Sequence, residues 1–185
     1  RVIGSSFVKE GYFVTVSDLF GMSQRGGSVN SFIRVSKESL WAPVIPCGKA
    51  HFILSLEPLE ALRAVAHYGN SETMVITNSH PLLPLKVMMG EVGYPPMGRL
   101  MEALSELSKT AVYLDATAAI LGLGARYLST FMLGVLMSAA TLPLDRGRVE
   151  DTLMESFHGG RLEVNMKAFK LGLESSTRAA VSYGR

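Results

Sequence analysis

The hydrophobic pattern of the first half of the chain alternates between short apolar runs and helical spacing, in the order typical of an α/β domain. Runs rich in β-branched and aromatic residues at 12–16 and 29–35 predict two strands. A nearly continuous apolar run at 50–56 predicts an inner parallel strand, and it leads into a helix that begins at Pro58. With a strand predicted at 73–78, this makes a strand–helix–strand unit.

The second half continues this alternation once and then becomes helical. A helix around residues 100–107 precedes a short strand at 111–114 that ends in Asp115. Beyond it the spacing predicts helices alone, over 116–123, a long apolar segment to 140, 148–157 and 162–181. The pattern predicts one domain over residues 1–185, a Rossmann-like layered α/β sheet of mostly parallel strands with a helical C-terminal portion.

Four segments complete this prediction. A helix that ends at Gly11 precedes the first strand. Residues 41–46, punctuated by prolines, predict an edge or a loop, and the proline- and methionine-rich stretch 80–96 predicts a lobe or partner-facing arm. The uncharged segment 127–144 is just long enough to span a membrane, but its serine, threonine, glycine and proline residues favour a buried core helix.

Charge and cysteine content exclude several functions. The 18 basic and 16 acidic residues are spread along the chain, without the basic stripe of a nucleic-acid binder. The single cysteine, Cys47, cannot form an intrachain disulfide or supply the ligands of an iron–sulfur cluster, which favours a cytoplasmic location. It is interpreted as a bystander thiol, because no neighbouring His or Asp suggests activation. The four histidines lack the spacing of a metal site, so none is predicted.

Polar residues follow several predicted strands, where the ligands of parallel α/β sheets gather. Ser17 and Asp18 precede a glycine-rich loop, Glu57 follows the apolar strand, and Asn78 and Asp115 follow the next two. Glu57 is explained by the dipole of the helix that begins at Pro58, and Asp115 fits an N-cap. Neither carboxylate is therefore assigned a catalytic role, and no catalytic residue is predicted.

The glycine-rich loop, residues 21–28, is the candidate binding site. Two glycines let backbone N–H groups approach an anion, an arginine adds a charged fork, and short polar side chains add hydrogen bonds. The candidates are Ser23, Gln24, Arg25, Gly26, Gly27 and Ser28. From these residues alone, an anion site and a solvated surface turn both remain open.

The segment 17–29 closely resembles the signature of the gamma domain of 2-oxoacid:ferredoxin oxidoreductases. Its Met-Ser-Gln-Arg-Gly-Gly version is most similar to the beta subunit of the indolepyruvate-oxidising members. Residues 56–63, 142–144 and 163–169 also resemble family segments, in the same order. The resemblance therefore spans nearly the whole chain.

The resemblance implies oxidative decarboxylation of a 2-oxoacid (indolepyruvate, pyruvate or 2-oxoglutarate class) to an acyl-coenzyme A, with ferredoxin as electron acceptor. Thiamine diphosphate, Mg²⁺ and iron–sulfur clusters would lie on partner subunits, because this chain lacks the Gly-Asp-Gly to Asn run of a thiamine site. The chain would then be a gamma-type subunit, not catalytic alone, that helps bind coenzyme A or substrate over a partner's thiamine site. Ser23 to Ser28 would form the contact, with Arg25 on a phosphate or carboxylate.

The chain departs from the family pattern in two places. The family opens with a strand and a glycine-rich turn, whereas this sequence begins inside the following helix, so a first phosphate-binding turn is expected to be missing. Relatives tend to carry an asparagine within 126–130, and no role is assigned there. Two alternatives stay open: a free-standing Rossmann-like nucleotide or coenzyme-binding module, and a structural interaction protein that docks through residues 80–96.

Overall fold

The computed structural model describes residues 1–20, 29–83, 85–176 and 180–183. Its main sheet contains four strands in the order β3-β4-β5-β6. The first three are parallel, which confirms the predicted α/β sheet of mostly parallel strands. Their bounds are β3 Phe52–Ser55, β4 Met74–Asn78, β5 Thr110–Leu114 and β6 Ala180–Tyr183.

Strand β6 corrects the predicted C-terminal helix. The helix expected over 162–181 is α8, Gly160–Ser175, and the chain then returns as β6, antiparallel to β5. Tyr183 pairs with Thr110, far away in sequence. The open edge of β5 provides this pairing, and local helical spacing gives no signal for it.

A separate two-stranded sheet lies before the main sheet. Strands β1, Phe13–Phe20, and β2, Val29–Ser36, pair antiparallel from Phe13 opposite Ser36 to Phe20 opposite Val29. In the described residues this hairpin forms no strand pairing with the main sheet. The expectation that Ser17 and Asp18 follow a strand of the parallel sheet is therefore wrong, because both lie within β1.

Helices cover both faces of the main sheet. Successive residues of β4 and β5 point to opposite faces, so Val75 and Ala111 join one core cluster while Ile76 and Val112 join the other. The first cluster packs under α2 and α4, and the second under α6 and α8. The helices are α1 Val2–Lys9, α2 Pro58–Tyr68, α3 Leu85–Met88, α4 Met97–Glu106, α5 Ala116–Ala119, α6 Leu128–Ala139, α7 Arg146–Ser156 and α8.

Helix α6 is the centre of the larger cluster, as the sequence predicts. Phe131 and Val135 are completely buried. Gly134 and Gly172 let α6 and α8 approach closely, because a Cβ at either position would overlap the backbone of the other helix. No helix in the described part of the chain is long and apolar enough to cross a membrane.

Three smaller predictions also agree with the structure. Gly11 ends the first helical segment with φ of 77°, in the left-handed region that glycine favours. Residues 41–46 form a loop. Residues 80–96 leave the core between β4 and α4, and the described residues among them contain only the short α3; the partner-facing role stays a prediction.

Candidate ligand site at the carboxyl edge of the sheet

The glycine-rich loop itself, residues 21–28, lies outside the described residues. The roles predicted for Ser23, Gln24, Arg25, Gly26, Gly27 and Ser28 therefore stay predictions. The strand ends that hold the loop are described: Leu19 pairs with Asn30, and Asp18 pairs with Ser31. The Ser31 hydroxyl donates to Asp18 Oδ1 at 2.6 Å, which ties the two strands together just below the loop.

A cleft of about 350 Å³ lies between the hairpin and the main sheet. Residues 29–32 of β2 form one wall, and residues 52–57, from β3 into the start of α2, form the other. Phe32 and Tyr68 close the cleft with rings packed edge to face, their centroids 5.0 Å apart. The residues that directly follow the loop and the carboxyl end of β3 thus open onto one space.

Glu57 occupies the end of this cleft and begins α2. Its Oε2 accepts a hydrogen bond of 2.8 Å from the backbone N–H of Glu60, which confirms the predicted helix-start role. Its Oε1 accepts a hydrogen bond from the Tyr94 hydroxyl. Both oxygens of this buried carboxylate, 7% exposed, are therefore engaged within the fold.

Tyr94 is a site residue that the sequence analysis missed. It lies in the proline-rich segment before α4, 37 residues from Glu57, so spacing along the chain gives no sign of the contact. Burial and the hydrogen bond from its hydroxyl to Glu57 raise the pKa of Tyr94 above the ordinary tyrosine value. The phenol therefore stays protonated and remains a donor well into the alkaline range.

Asn78 connects the ends of all three parallel strands. Its Nδ2 donates to the Leu56 carbonyl at 3.1 Å and to Thr117 Oγ1 at 3.0 Å. Its Oδ1 accepts from the N–H groups of His80 at 3.3 Å and Ala116 at 3.0 Å. Because Asn78 is completely buried and fully hydrogen-bonded, it fixes the strand ends that form the carboxyl edge.

Carboxylates already occupy the helix N-termini at this edge. Glu57 caps α2, and Asp115 caps α5 by accepting from the N–H of Ala118 at 2.9 Å, as predicted. Glu60, in the first turn of α2, pairs with Arg63. These helix starts therefore present negative charge, and an anionic ligand would need the positive charge of another segment.

Cys47 has a neighbour that the sequence analysis did not find. Its Sγ lies 3.4 Å from Nε2 of His67, which α2 places beside it although the two are 20 residues apart. The expectation that no histidine adjoins this thiol is therefore wrong, because the fold brings the two side chains together.

Among the described residues, no group of three or more His, Cys, Asp or Glu side chains could hold a metal ion.

Comparisons with known proteins agree with this fold and with the family resemblance. Residues 1–175 match the family model described as pyruvate ferredoxin/flavodoxin oxidoreductase. The chain is 32% identical over 178 residues to indolepyruvate oxidoreductase subunit IorB of Thermococcus kodakarensis, covering 95% of this chain and 87% of that protein. Identity to the IorB subunit of Pyrococcus horikoshii is 33% over 179 residues, with the same coverage.

Two solved structures share the fold. The gamma subunit of a keto/oxoacid ferredoxin oxidoreductase from Geobacter sulfurreducens superposes with a TM-score of 0.63 at 15% identity, covering 96% of this chain and 88% of that one. Subunit PORC of a pyruvate oxidoreductase from Thermotoga maritima gives a TM-score of 0.62 at 14% identity, covering 98% and 88%. At these identities the two structures show only that the fold is shared. The family model, which covers residues 1–175, shows membership of the family.

Proposed function

We propose that this chain, which belongs to the pyruvate ferredoxin/flavodoxin oxidoreductase family, is a gamma-type subunit that helps bind coenzyme A or the 2-oxoacid over the thiamine diphosphate site of a partner. The chain acts only in the assembled enzyme, which oxidises a 2-oxoacid and passes electrons to ferredoxin. We place this complex in the cytoplasm, in line with the single cysteine.

The meeting of the hairpin and the carboxyl edge at one cleft supports the ligand role. The strand that follows the glycine-rich loop and the strand that ends at Glu57 line the same space. A ligand held by the loop would therefore rest beside a wall that Asn78 and Glu57 keep in place. In α/β folds, ligands bind at this edge of the sheet.

The distribution of charge supports a contact between the loop and the anionic end of the ligand. At the carboxyl edge, Glu57 and Asp115 accept hydrogen bonds from N–H groups at the starts of α2 and α5, which could otherwise bind a phosphate. The loop sequence contains Arg25, two adjacent glycines and no acidic residue. Arg25 would bind a phosphate of coenzyme A or the carboxylate of the oxoacid, and the glycines would let backbone N–H groups approach it.

The remaining cofactors do not fit this chain. An iron–sulfur cluster needs several thiolates, and the sequence contains one cysteine. The sequence also lacks the Gly-Asp-Gly to Asn run that binds thiamine diphosphate and Mg²⁺. We therefore assign thiamine diphosphate, Mg²⁺ and the clusters to partner subunits, where decarboxylation and electron transfer would take place.

Replacement of Arg25 tests the proposal. In the reconstituted complex, Arg25→Ala should raise KM for coenzyme A or for the 2-oxoacid about tenfold or more, since a charge-assisted hydrogen bond is lost. Arg161→Ala, which removes the same charge from an exposed position in α8, is the matched control. Unchanged KM for both ligands would contradict the ligand role of the loop.

Purification from the native source separates the proposal from the free-standing alternative. A subunit of this enzyme class should copurify with a chain that binds thiamine diphosphate and with iron–sulfur protein. A chain that elutes alone and binds a nucleotide or coenzyme by itself would favour the free-standing module.

A further inference from the structure

Residues 87–96, here called the strap, run from the end of α3 to the start of α4 beside the carboxyl edge. Three apolar side chains of the strap are exposed: Met88, Met89 and Val92. Tyr94 is half-buried, and its hydroxyl donates a hydrogen bond to the Glu57 carboxylate. In the part of the chain that the structure describes, no other strap side chain hydrogen-bonds to the sheet or to α2. In side-chain hydrogen bonds, the strap is therefore fastened to the edge through Tyr94.

We infer that Tyr94 is a positioning residue of the ligand site: its hydroxyl holds the Glu57 carboxylate in place and so fixes both the strap and the end wall of the cleft. This inference rests on the proposed function, because it takes the carboxyl edge as one side of the ligand site. Glu57 lines the cleft and Tyr94 does not. Tyr94 therefore acts on the cleft through Glu57.

The geometry around Glu57 carries this inference. One carboxylate oxygen is bound to the N–H of Glu60 at 2.8 Å, and the other is bound to the Tyr94 hydroxyl. Without that hydroxyl, a buried charged oxygen would lose its partner, and a buried unpaired charge is unfavourable. The carboxylate would turn toward the cleft and its water, and the strap would lose its connection to α2.

The sequence around Tyr94 favours a single position for its ring. Pro95 and Pro96 follow it directly, and each fixes its own φ and restricts the residue before it. The first residue of α4 follows the two prolines. The ring therefore projects from a stiff segment anchored to a helix, while Gly90, with φ of 75°, and Gly93 leave the other end of the strap easier to move.

Tyr94→Phe in the assembled enzyme tests the inference, because it removes one hydroxyl and keeps the ring. Amide hydrogen exchange should become about tenfold faster at Gly90, whose N–H donates to the Val87 carbonyl within the strap, and at Glu60, whose N–H donates to Glu57, as expected for the loss of a hydrogen bond to a charged group. KM for coenzyme A or for the 2-oxoacid should rise several-fold while kcat stays unchanged, because Tyr94 acts on the ligand only through the wall of the cleft. Tyr127→Phe, which makes the same chemical change before α6, should alter neither measurement.

Each result decides a separate point. Unchanged exchange in the strap overturns the fastening role of Tyr94, whatever the kinetics show. Faster exchange with unchanged KM for both ligands overturns the link between the strap and the ligand site. A fall in kcat alone would also contradict a positioning role. The proposed function is tested independently by Arg25→Ala and by copurification, so its failure would be recognised without reference to Tyr94.

Discussion

Asn78 and Arg34 each donate hydrogen bonds from a side chain to backbone carbonyl oxygens of a neighbouring segment, but Asn78 is buried and the contacts of Arg34 are exposed. Asn78 is completely buried at the carboxyl edge, where it donates to the Leu56 carbonyl and accepts from two backbone N–H groups. Arg34 lies on the hairpin and donates to the carbonyls of Ala42 at 2.7 Å and Val44 at 3.1 Å, in contacts open to solvent.

The difference teaches how the two sides of the cleft are built. Water can replace a partner in the exposed bonds of the hairpin, whereas a broken bond at Asn78 leaves a buried polar group without one. Thr15 and Ser17 extend the hairpin pattern, with hydroxyls that donate to Trp41 and Pro43 carbonyls at 2.9 Å each. The carboxyl edge is thus a fixed wall, and the hairpin that carries the glycine-rich loop is the adaptable side.

Asn78→Ala should have the largest effect on stability. The substitution leaves the Leu56 carbonyl and the N–H of the buried Ala116 without their partner and opens a cavity, so we expect a loss of about 3 kcal/mol in the free energy of unfolding. Denaturant unfolding of the purified chain measures this loss. Asn30→Ala, the same change on the hairpin, is the control. A loss below about 1 kcal/mol at Asn78 would show that the carboxyl edge is not fixed by this residue.

Arg34→Ala should cost less, about 1 kcal/mol, although it removes two hydrogen bonds and the contact of the guanidinium with the Trp41 ring at 4.6 Å. Solvent replaces much of what is lost. The same unfolding measurement applies, with Arg99→Ala, exposed on α4, as the control. A loss as large as that of Asn78→Ala would remove the distinction between the two sides of the cleft.

At the carboxyl edge, the structural features that depend on residues close together in the sequence could be predicted from the sequence. Glu57 before Pro58 and Asp115 before Ala116 were both identified as helix starts, and the structure confirms both caps. The burial of α6 also followed from its apolar composition. Each cap depends on residues within about one helical turn of one another, and the burial of α6 depends on the composition of one continuous segment.

Features that join distant segments could not be predicted in the same way. Tyr94 meets Glu57, Cys47 meets His67, and β6 pairs with β5, all through chain reversals whose geometry the local pattern does not contain. The hairpin shows the same limit, because its strand residues were recognised but not their antiparallel partnership. For the glycine-rich loop, residue chemistry alone favours a surface turn, and the ligand role proposed for it comes from the family resemblance.

Ser31→Ala should have the smallest effect. The hydroxyl bonds Asp18 at 2.6 Å across the exposed root of the loop, where water can replace it, so we expect a change of at most about 0.5 kcal/mol in the free energy of unfolding. Thr15→Ser, which keeps a hydroxyl on the same hairpin, controls for loss of side-chain volume. A stability loss above about 1 kcal/mol would mean that the root of the loop is as firmly held as the carboxyl edge, and the contrast between the two sides of the cleft would then not extend to the ends of β1 and β2.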